Sequence, residues 1–422
     1  MKTRKTNPDI AEFIIESITS NESEIHAWLK QRETECSSIP IYSSVDIRHT
    51  HYKFSVIDTN IYPAGFNNLA ERSITKGKHE FVKAIKKRCP HCKRILLVTE
   101  RSTRNLWYLE NIAVLFTLLH ENGFEVTIGT FFTKTDPIEK MVLKSSSGIF
   151  LHFHDIGTLY KKRDLNTEFD LILLNNDLSN GIPSPLKHIS IPVHPPLYAG
   201  WWHRSKTRHF IILNALLAEF AALLEIDPWL ISCLFSPIES FDMLSTEDHK
   251  NVVTAAEEFY EQIEQKHRLY GIQSKPFIFI KADSGTSGRG VIPIEHPKDI
   301  LEFSNKMKHD LCKGKQSRKI TKFLLQEGLE SIDTYQSNTC EPVIYSINNH
   351  PIGGFFRINP KKNPRENLSS PNSYFEPLSV SMLGRDSRKI SIAHSHYDLY
   401  SLLARLAGIA VSREIIELES SK

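Results

Sequence analysis

The stretch from Lys275 to Ile294, KPFIFIKADSGTSGRGVIPI, constrains this chain more than any other. An apolar run of strand character ends in Lys281 and Asp283, passes through a loop carrying Gly285, Gly288 and Gly290, and re-enters a second apolar run at Val291. The pattern predicts two strands joined by a flexible loop. Glycines let backbone N–H groups turn toward an anion without a Cβ in the way, and a nearby lysine neutralises the charge that arrives. The guest such a loop suits is a phosphate. The order G-x-x-G-x-G is not the dinucleotide fingerprint G-x-G-x-x-G, and no G-K-[ST] completes a P-loop. Neither H-R-D nor D-F-G follows, as a protein kinase would require. Taken alone, a glycine-rich turn with no ligand explains the loop equally well.

A chain of 422 residues has room for two or three domains, each with its own core. Its net charge of +3 is too small to argue for a nucleic-acid partner. The basic clusters Lys86-Lys87-Arg88 and His203 to His209 read as solvated faces, the second with an anionic substrate as its alternative. Six cysteines in so long a chain do not suggest a disulfide framework, and Met1 leads into polar sequence, so the expected location is cytoplasmic. No apolar run approaches the ~20 residues of a membrane span. Cys89-Pro90-His91-Cys92 lacks the second pair that a zinc ribbon needs and reads as an exposed turn.

Along the chain, residues 8 to 35 carry apolar side chains at helical spacing. Two strand-like runs follow, 41 to 48 and 53 to 60. The second ends in Asp58 and Asn60, which face one side of a strand and could offer two oxygens to a hard cation; a strand running into an Asn/Pro/Gly turn is the plainer reading. From Arg94 strands alternate with helices, which predicts a doubly wound parallel sheet. Its strand ends carry Glu100, Arg101 and Arg104, then Asn175, Asn176 and Asp177, where ligands of such sheets bind. A buried helix is expected over 209 to 226, another helix from Asp227-Pro228, and a charged helix over 246 to 270. Gln326 to Leu329 ends a further strand, and 341 to 359 reads as a hairpin carrying Arg357, followed by a polar loop with Asn367.

A mononucleotide site of the ATP-grasp type is the option left by the glycine loop, and several stretches in one order strengthen it. YSSVDIR and DTNIYPAGFNNL, NNDLSNG, GWWHRSKTRHF, IDPW, KADSGTSGRGV, LLQEGL, EPVIYSINNHPIGGFFRIN and ENLSSPNSYFEPL together resemble the proteobacterial ATP-grasp glutamate-cysteine ligases, from about residue 40 onward. That family's loop more often reads GTYGMG, whereas Ser287 and Arg289 stand at the variable positions here. The order of motifs is also similar to eukaryotic glutathione synthetases, whose ATP-grasp is circularly permuted.

The resemblance implies an α/β fold: an ATP-grasp region with a preceding doubly wound substrate domain, permuted as in those synthetases. The expected division is 1–90 as a helical layer with metal-motif strands, 91–245 as the Rossmann-like domain, and 246–422 as the nucleotide-binding region. It implies ATP-driven ligation of the L-glutamate γ-carboxylate to the L-cysteine amine through an acyl phosphate, the first step of glutathione biosynthesis. Another carboxylate and amine pair, or an inactive nucleotide-binding protein, are the alternatives.

ATP would meet Lys281, Ser284, Gly285, Thr286, Gly288, Gly290 and Arg357, with Gln326, Glu327 and Leu329 along adenine and Asn367 nearby. Mg²⁺ would sit on Asp58 and Asn60, with Asp283 as a third ligand. Arg48, Arg101, Arg104 and Asn176 are the candidates for the amino-acid substrates, since a guanidinium grips a carboxylate with two parallel hydrogen bonds. Lys281, Arg357 and Arg48 are the expected catalytic residues. Neither nucleic acid nor membrane is expected as a partner.

Overall fold

A computed structural model describes residues 10–101, 105–133, 140–239, 246–285, 290–312, 320–378 and 396–421. The amphipathic N-terminal segment is two helices, α1 (Ile10–Ser20) and α2 (Glu22–Thr34). Asn21 divides them: its side-chain amide donates back to the Ser17 carbonyl at 2.8 Å, a bond that competes with helix continuation. β1 (Tyr42–His49) and β2 (Phe54–Asn60) form an antiparallel pair. Between the pairs Asp46/Asp58 and Ile47/Val56 the register shifts by one, so Ile57 is an extra residue that breaks the ladder. α3 (Glu71–Arg88) follows.

The next sheet is built from β3 (Arg94–Thr99), β4 (Glu125–Thr130), β5 (Lys140–Lys144), β6 (Phe150–Asp155), β7 (Leu171–Asn175) and β8 (Val193–His194), in the order β5-β6-β4-β3-β7-β8. All neighbours are parallel except β5, which pairs antiparallel with β6. α4 (Leu106–His120), α5 (Ile156–Lys162) and α6 (Leu165–Glu168) make the crossovers. The apolar runs of β3 and β7 are buried, as both faces of a parallel sheet require.

α7 (Lys206–Leu223) begins three residues before the apolar pattern does, because the Ser205 hydroxyl caps it by accepting from the Arg208 N–H. The helix expected after Asp227 is a single 3₁₀ turn, Pro228–Leu230. A four-stranded antiparallel sheet follows: β9 (Phe235–Ile238), β10 (Ile278–Ala282), β11 (Val291–Ile294) and β12 (Phe323–Glu327), ordered β11-β10-β12-β9. β9 lies inside the stretch expected for the Rossmann-like domain yet pairs with β12. α8 (Thr246–Tyr270) shares a core with this sheet through Val252, Ala256, Phe259 and Ile263, and α9 (Asn305–Cys312) adds Leu311 to it, packing against β10.

The chain then returns to its first strands. β13 (Thr334–Tyr335), β14 (Asn338–Ile347), β15 (His350–Ile358) and β16 (Tyr374–Pro377) extend the β1–β2 pair into a sheet ordered β16-β15-β14-β1-β2, with β13 on β14. α10 (His396–Ser420) packs against this sheet and against α7. Among the described residues, no helix is long and apolar enough to cross a membrane.

Candidate functional site

The large antiparallel sheet and the four-stranded sheet face each other across a cleft of about 290 Å³. Side chains alternate along a strand, so β1 offers Ser44, Asp46 and Arg48 to the cleft while Val45 and Ile47 enter the core behind it. Neighbouring strands add Asp58 and Asn60, Glu341 and Tyr345, then Phe355 and Arg357. The small sheet contributes Phe279, Lys281 and Gln326. Ile57, the residue inserted in β2, directs its carbonyl at the small sheet. Lys281 Nζ donates to it at 3.3 Å and Gln326 Nε2 at 3.4 Å, so the bulge ties the two walls together.

The centre of the cleft is charged. Lys206 Nζ donates to Asp58 Oδ1 at 2.5 Å, and the Arg357 guanidinium bridges Asp46 Oδ2 at 2.6 Å and Glu341 Oε1 at 2.7 Å. Arg48 Nε meets the other Glu341 oxygen at 2.6 Å. With Lys281 beside them, three carboxylates face four cations. Burial drives the Lys281 ammonium down to about 8, with Lys206 and Arg48 adding repulsion and Asp58 opposing it. Burial also raises Asp46, against the pull of Arg357. For Glu341 the burial penalty is outweighed by Arg48 and Arg357, which hold its carboxyl below the usual range. Burial works against the Asp58 carboxylate too, but Lys206 and Lys281 prevail and lower it.

Of the residues the sequence singles out, Lys281, Ser284, Gly285, Arg357, Asp58 and Asn60 line this one cleft, as do Arg48, Gln326, Glu327, Leu329 and Asn367. Several have different partners from those expected. Arg48 is 3% exposed and spends its guanidinium on Glu341, the Leu329 and Pro364 carbonyls and the Glu366 carbonyl, in place of a substrate carboxylate. Asp283, expected as a third metal ligand, is held by α7: its Oδ1 accepts from the Thr207 N–H at 2.8 Å and its carbonyl from the Lys206 N–H at 2.7 Å. It fastens the start of α7 and does not line the cleft.

Glu327 turns its carboxylate away, to Lys53 at 2.8 Å and Trp229 Nε1 at 3.0 Å. Asn60 Oδ1 accepts from the Tyr62 N–H at 2.8 Å. Gly290 opens onto an adjoining hollow with Asn367 and Ser369. Asn176 ties the ends of two parallel strands, donating to the Thr99 carbonyl and accepting from the Leu178 N–H, and Arg101 is exposed; neither lines the cleft. Thr286, Gly288 and Arg104 lie outside the described residues.

Lys206, Asp46 and Glu341 are site residues the sequence did not single out, Lys206 the most consequential. The basic cluster around it was visible, but not that Arg204 would be swallowed. Arg204 makes a bidentate pair with Glu414 of α10 at 2.9 and 2.8 Å, both fully buried, and His209 Nδ1 lies 3.2 Å from the same carboxylate. The Trp201 ring lies beneath both cations, 4.8 Å from Arg204 and 4.9 Å from Lys206. Cys89 and Cys92 sit in a turn, closed by the Cys92 N–H to the Cys89 carbonyl at 3.1 Å. Among the described residues no group of His, Cys, Asp and Glu could hold a metal by itself.

Fold and site define a mixed α/β enzyme with a cation-rich cleft between two antiparallel sheets. The chain belongs to the glutamate-cysteine ligase family: that family's model, described as "Glutamate-cysteine ligase", matches residues 16–415. It is also similar to a solved structure described as a "Putative gamma-glutamylcysteine synthetase" from Methylobacillus flagellatus KT. The two are 28% identical with a TM-score of 0.84, and 100% of each chain is covered. No curated protein matches this chain.

Proposed function

We propose that the protein joins the γ-carboxylate of L-glutamate to the amine of L-cysteine, driven by ATP, on an ATP-grasp architecture in permuted order. The observation that carries this reading is the meeting of Lys281, Lys206, Asp58 and Arg357 in one cleft of a chain that belongs to the glutamate-cysteine ligase family. The N-terminal strands β1 and β2 join β14 to β16, while the glycine-bearing turn belongs to the opposing sheet; this supports the permuted order.

Carboxylate is a poor electrophile, and phosphorylation removes that obstacle. In the proposed sequence the glutamate γ-carboxylate attacks the γ-phosphorus of ATP, ADP leaves, and the cysteine amine then displaces phosphate from the acyl phosphate. The chain's own task is positioning and charge neutralisation. Lys281 and Lys206 face the transferring phosphoryl group. Adenine lies in the apolar part of the cleft, against Phe279, Val291, Ile320 and Leu329. Arg357, steadied by Asp46 and Glu341, receives substrate carboxylate; Arg48 holds Glu341 in place and acts as a positioning residue.

The donor set fits Mg²⁺, which takes one or two protein carboxylates together with phosphate oxygens. Asp58 is part-exposed, and its Oδ2 has no hydrogen-bond partner among the described residues. Asp58 and the Asn60 amide oxygen would hold the ion, whose charge relieves the repulsion between nucleotide and glutamate. The test is phosphate release from ATP and Mg²⁺ with each amino acid omitted in turn, and mass analysis of the product. Release that requires both, with γ-glutamylcysteine formed, is expected; release without that product refutes the substrate pair.

A further inference from the structure

The cleft is not chemically uniform along β1. Arg48 and Ser44 are four residues apart on that strand, roughly 13 Å. Leu329 reaches the Arg48 end through its carbonyl, whereas Tyr345 lies opposite Ser44. Around Tyr345 the wall becomes aromatic: its ring is 5.4 Å from Phe355, and Phe355 is 5.1 Å from Phe375, edge to face. Phe375 stands beside Arg357 in the β15–β16 register, so this wall adjoins the charged centre. The turn holding Gly65 closes over it, close enough that a Cβ there would meet Tyr345 Oη at 2.6 Å.

Trp107 completes this end from the parallel-sheet side. It sits in the first turn of α4, and Asn111, one turn later, accepts from the Phe66 N–H at 3.0 Å, pinning that helix to the same turn. Trp107 is 72% exposed and Phe375 39%, yet both line the cleft. An exposed tryptophan bordering a cleft is costly in water and useful against a ligand.

Building on the ligase reading above, we propose that this aromatic end is the acceptor subsite, with Trp107 and Phe375 as its specificity-determining residues. It takes a small amino acid whose thiol-bearing side chain lies against the rings and whose amine points back to the charged centre. Polarisable sulfur suits an aromatic wall, and the wall offers little to a second carboxylate. The phosphorylated glutamate stays between Lys281 and Arg357.

The test measures KM for each substrate in wild type, Trp107→Ala and Phe375→Ala, with 2-aminobutyrate and serine as alternative acceptors. Roughly a tenfold rise in KM for cysteine is expected, with KM for glutamate and ATP held and the preference for cysteine over serine reduced. A direct readout is tryptophan fluorescence during a cysteine titration of the enzyme loaded with a non-hydrolysable ATP analogue. Wild type should respond and Trp107→Phe should not. Unchanged KM for cysteine, or an equal rise for glutamate, overturns the subsite while leaving the ligase reading intact. A wild type that forms no product with cysteine overturns both.

Discussion

Replacing Lys281 by methionine should make the protein more stable while abolishing turnover. The folded site holds this ammonium at about 8 against 10.5 for a free lysine, a net shift that already includes the attraction of Asp58. At 1.36 kcal/mol per unit, keeping the charge at neutral pH costs about 3 kcal/mol. With an unfolding entropy of roughly 2.1 cal/mol/K per residue, that converts to a Tm rise of about 3 °C for a chain of this size. Gln326 still holds the Ile57 carbonyl, so the walls stay tied.

The sign follows from proton binding. Between about 8 and 10.5 the unfolded lysine keeps a proton that the folded one has released, so wild-type stability gains as pH rises through that window. The advantage of Lys281→Met is therefore full below pH 8 and vanishes by about pH 10.5. Scanning calorimetry of both proteins across pH 7 to 10.5 reads it directly. A variant that melts lower at pH 7, or a difference independent of pH, would refute the reasoning. Turnover supplies the second half: phosphate release by wild type should fall as pH passes 8, and Lys281→Arg, if active, should shift that fall upward.

Lys206→Ala should lower kcat/KM for ATP-dependent phosphate release by about 10²-fold or more, the order seen when one preorganised charge-stabilising group is removed. Combined with Asp58→Asn the loss should be less than additive, since the two side chains are hydrogen-bonded to each other; strict additivity in steady-state kinetics would separate their roles. Glu414→Gln leaves Arg204 buried without its counter-charge and should cost about 3 to 5 kcal/mol, read as a lower Tm. Burial opposes the Glu414 carboxylate, but Arg204 and His209 hold it at about 2. Its contribution is complete above pH 4.5 and is lost as pH falls toward 2, so wild type should approach the variant's stability in acid.

Local pattern made the walls of the site legible. Alternation in 41 to 60 marks β1 and β2, and the glycine loop between apolar runs marks β10 and β11, so Lys281, Asp58 and Arg357 could be singled out from residue type and place alone. What could not be read was pairing at long range. Arg48 faces the cleft by strand parity, but that Glu341 occupies its guanidinium depends on the β1–β14 register, nearly three hundred residues apart. The bulge at Ile57 leaves no mark in composition, yet it supplies the carbonyl that joins the two sheets.

The acids show the limit most sharply. Asp58, Asp283, Glu327 and Glu341 all lie in or beside motifs, and nothing in their residue types separates them. Each is decided by the donor it meets. The start of α7 reaches Asp283, Lys53 and Trp229 reach Glu327, and two guanidiniums reach Glu341. Asp58 meets the Lys206 ammonium through one of its two oxygens and borders the cleft. Asp283 is bound to the first turn of α7 twice, its carboxylate accepting from the Thr207 N–H and its carbonyl from the Lys206 N–H. That difference, set by the fold as a whole, leaves Asp58 in the cleft beside Lys206 and ties Asp283 to the start of α7.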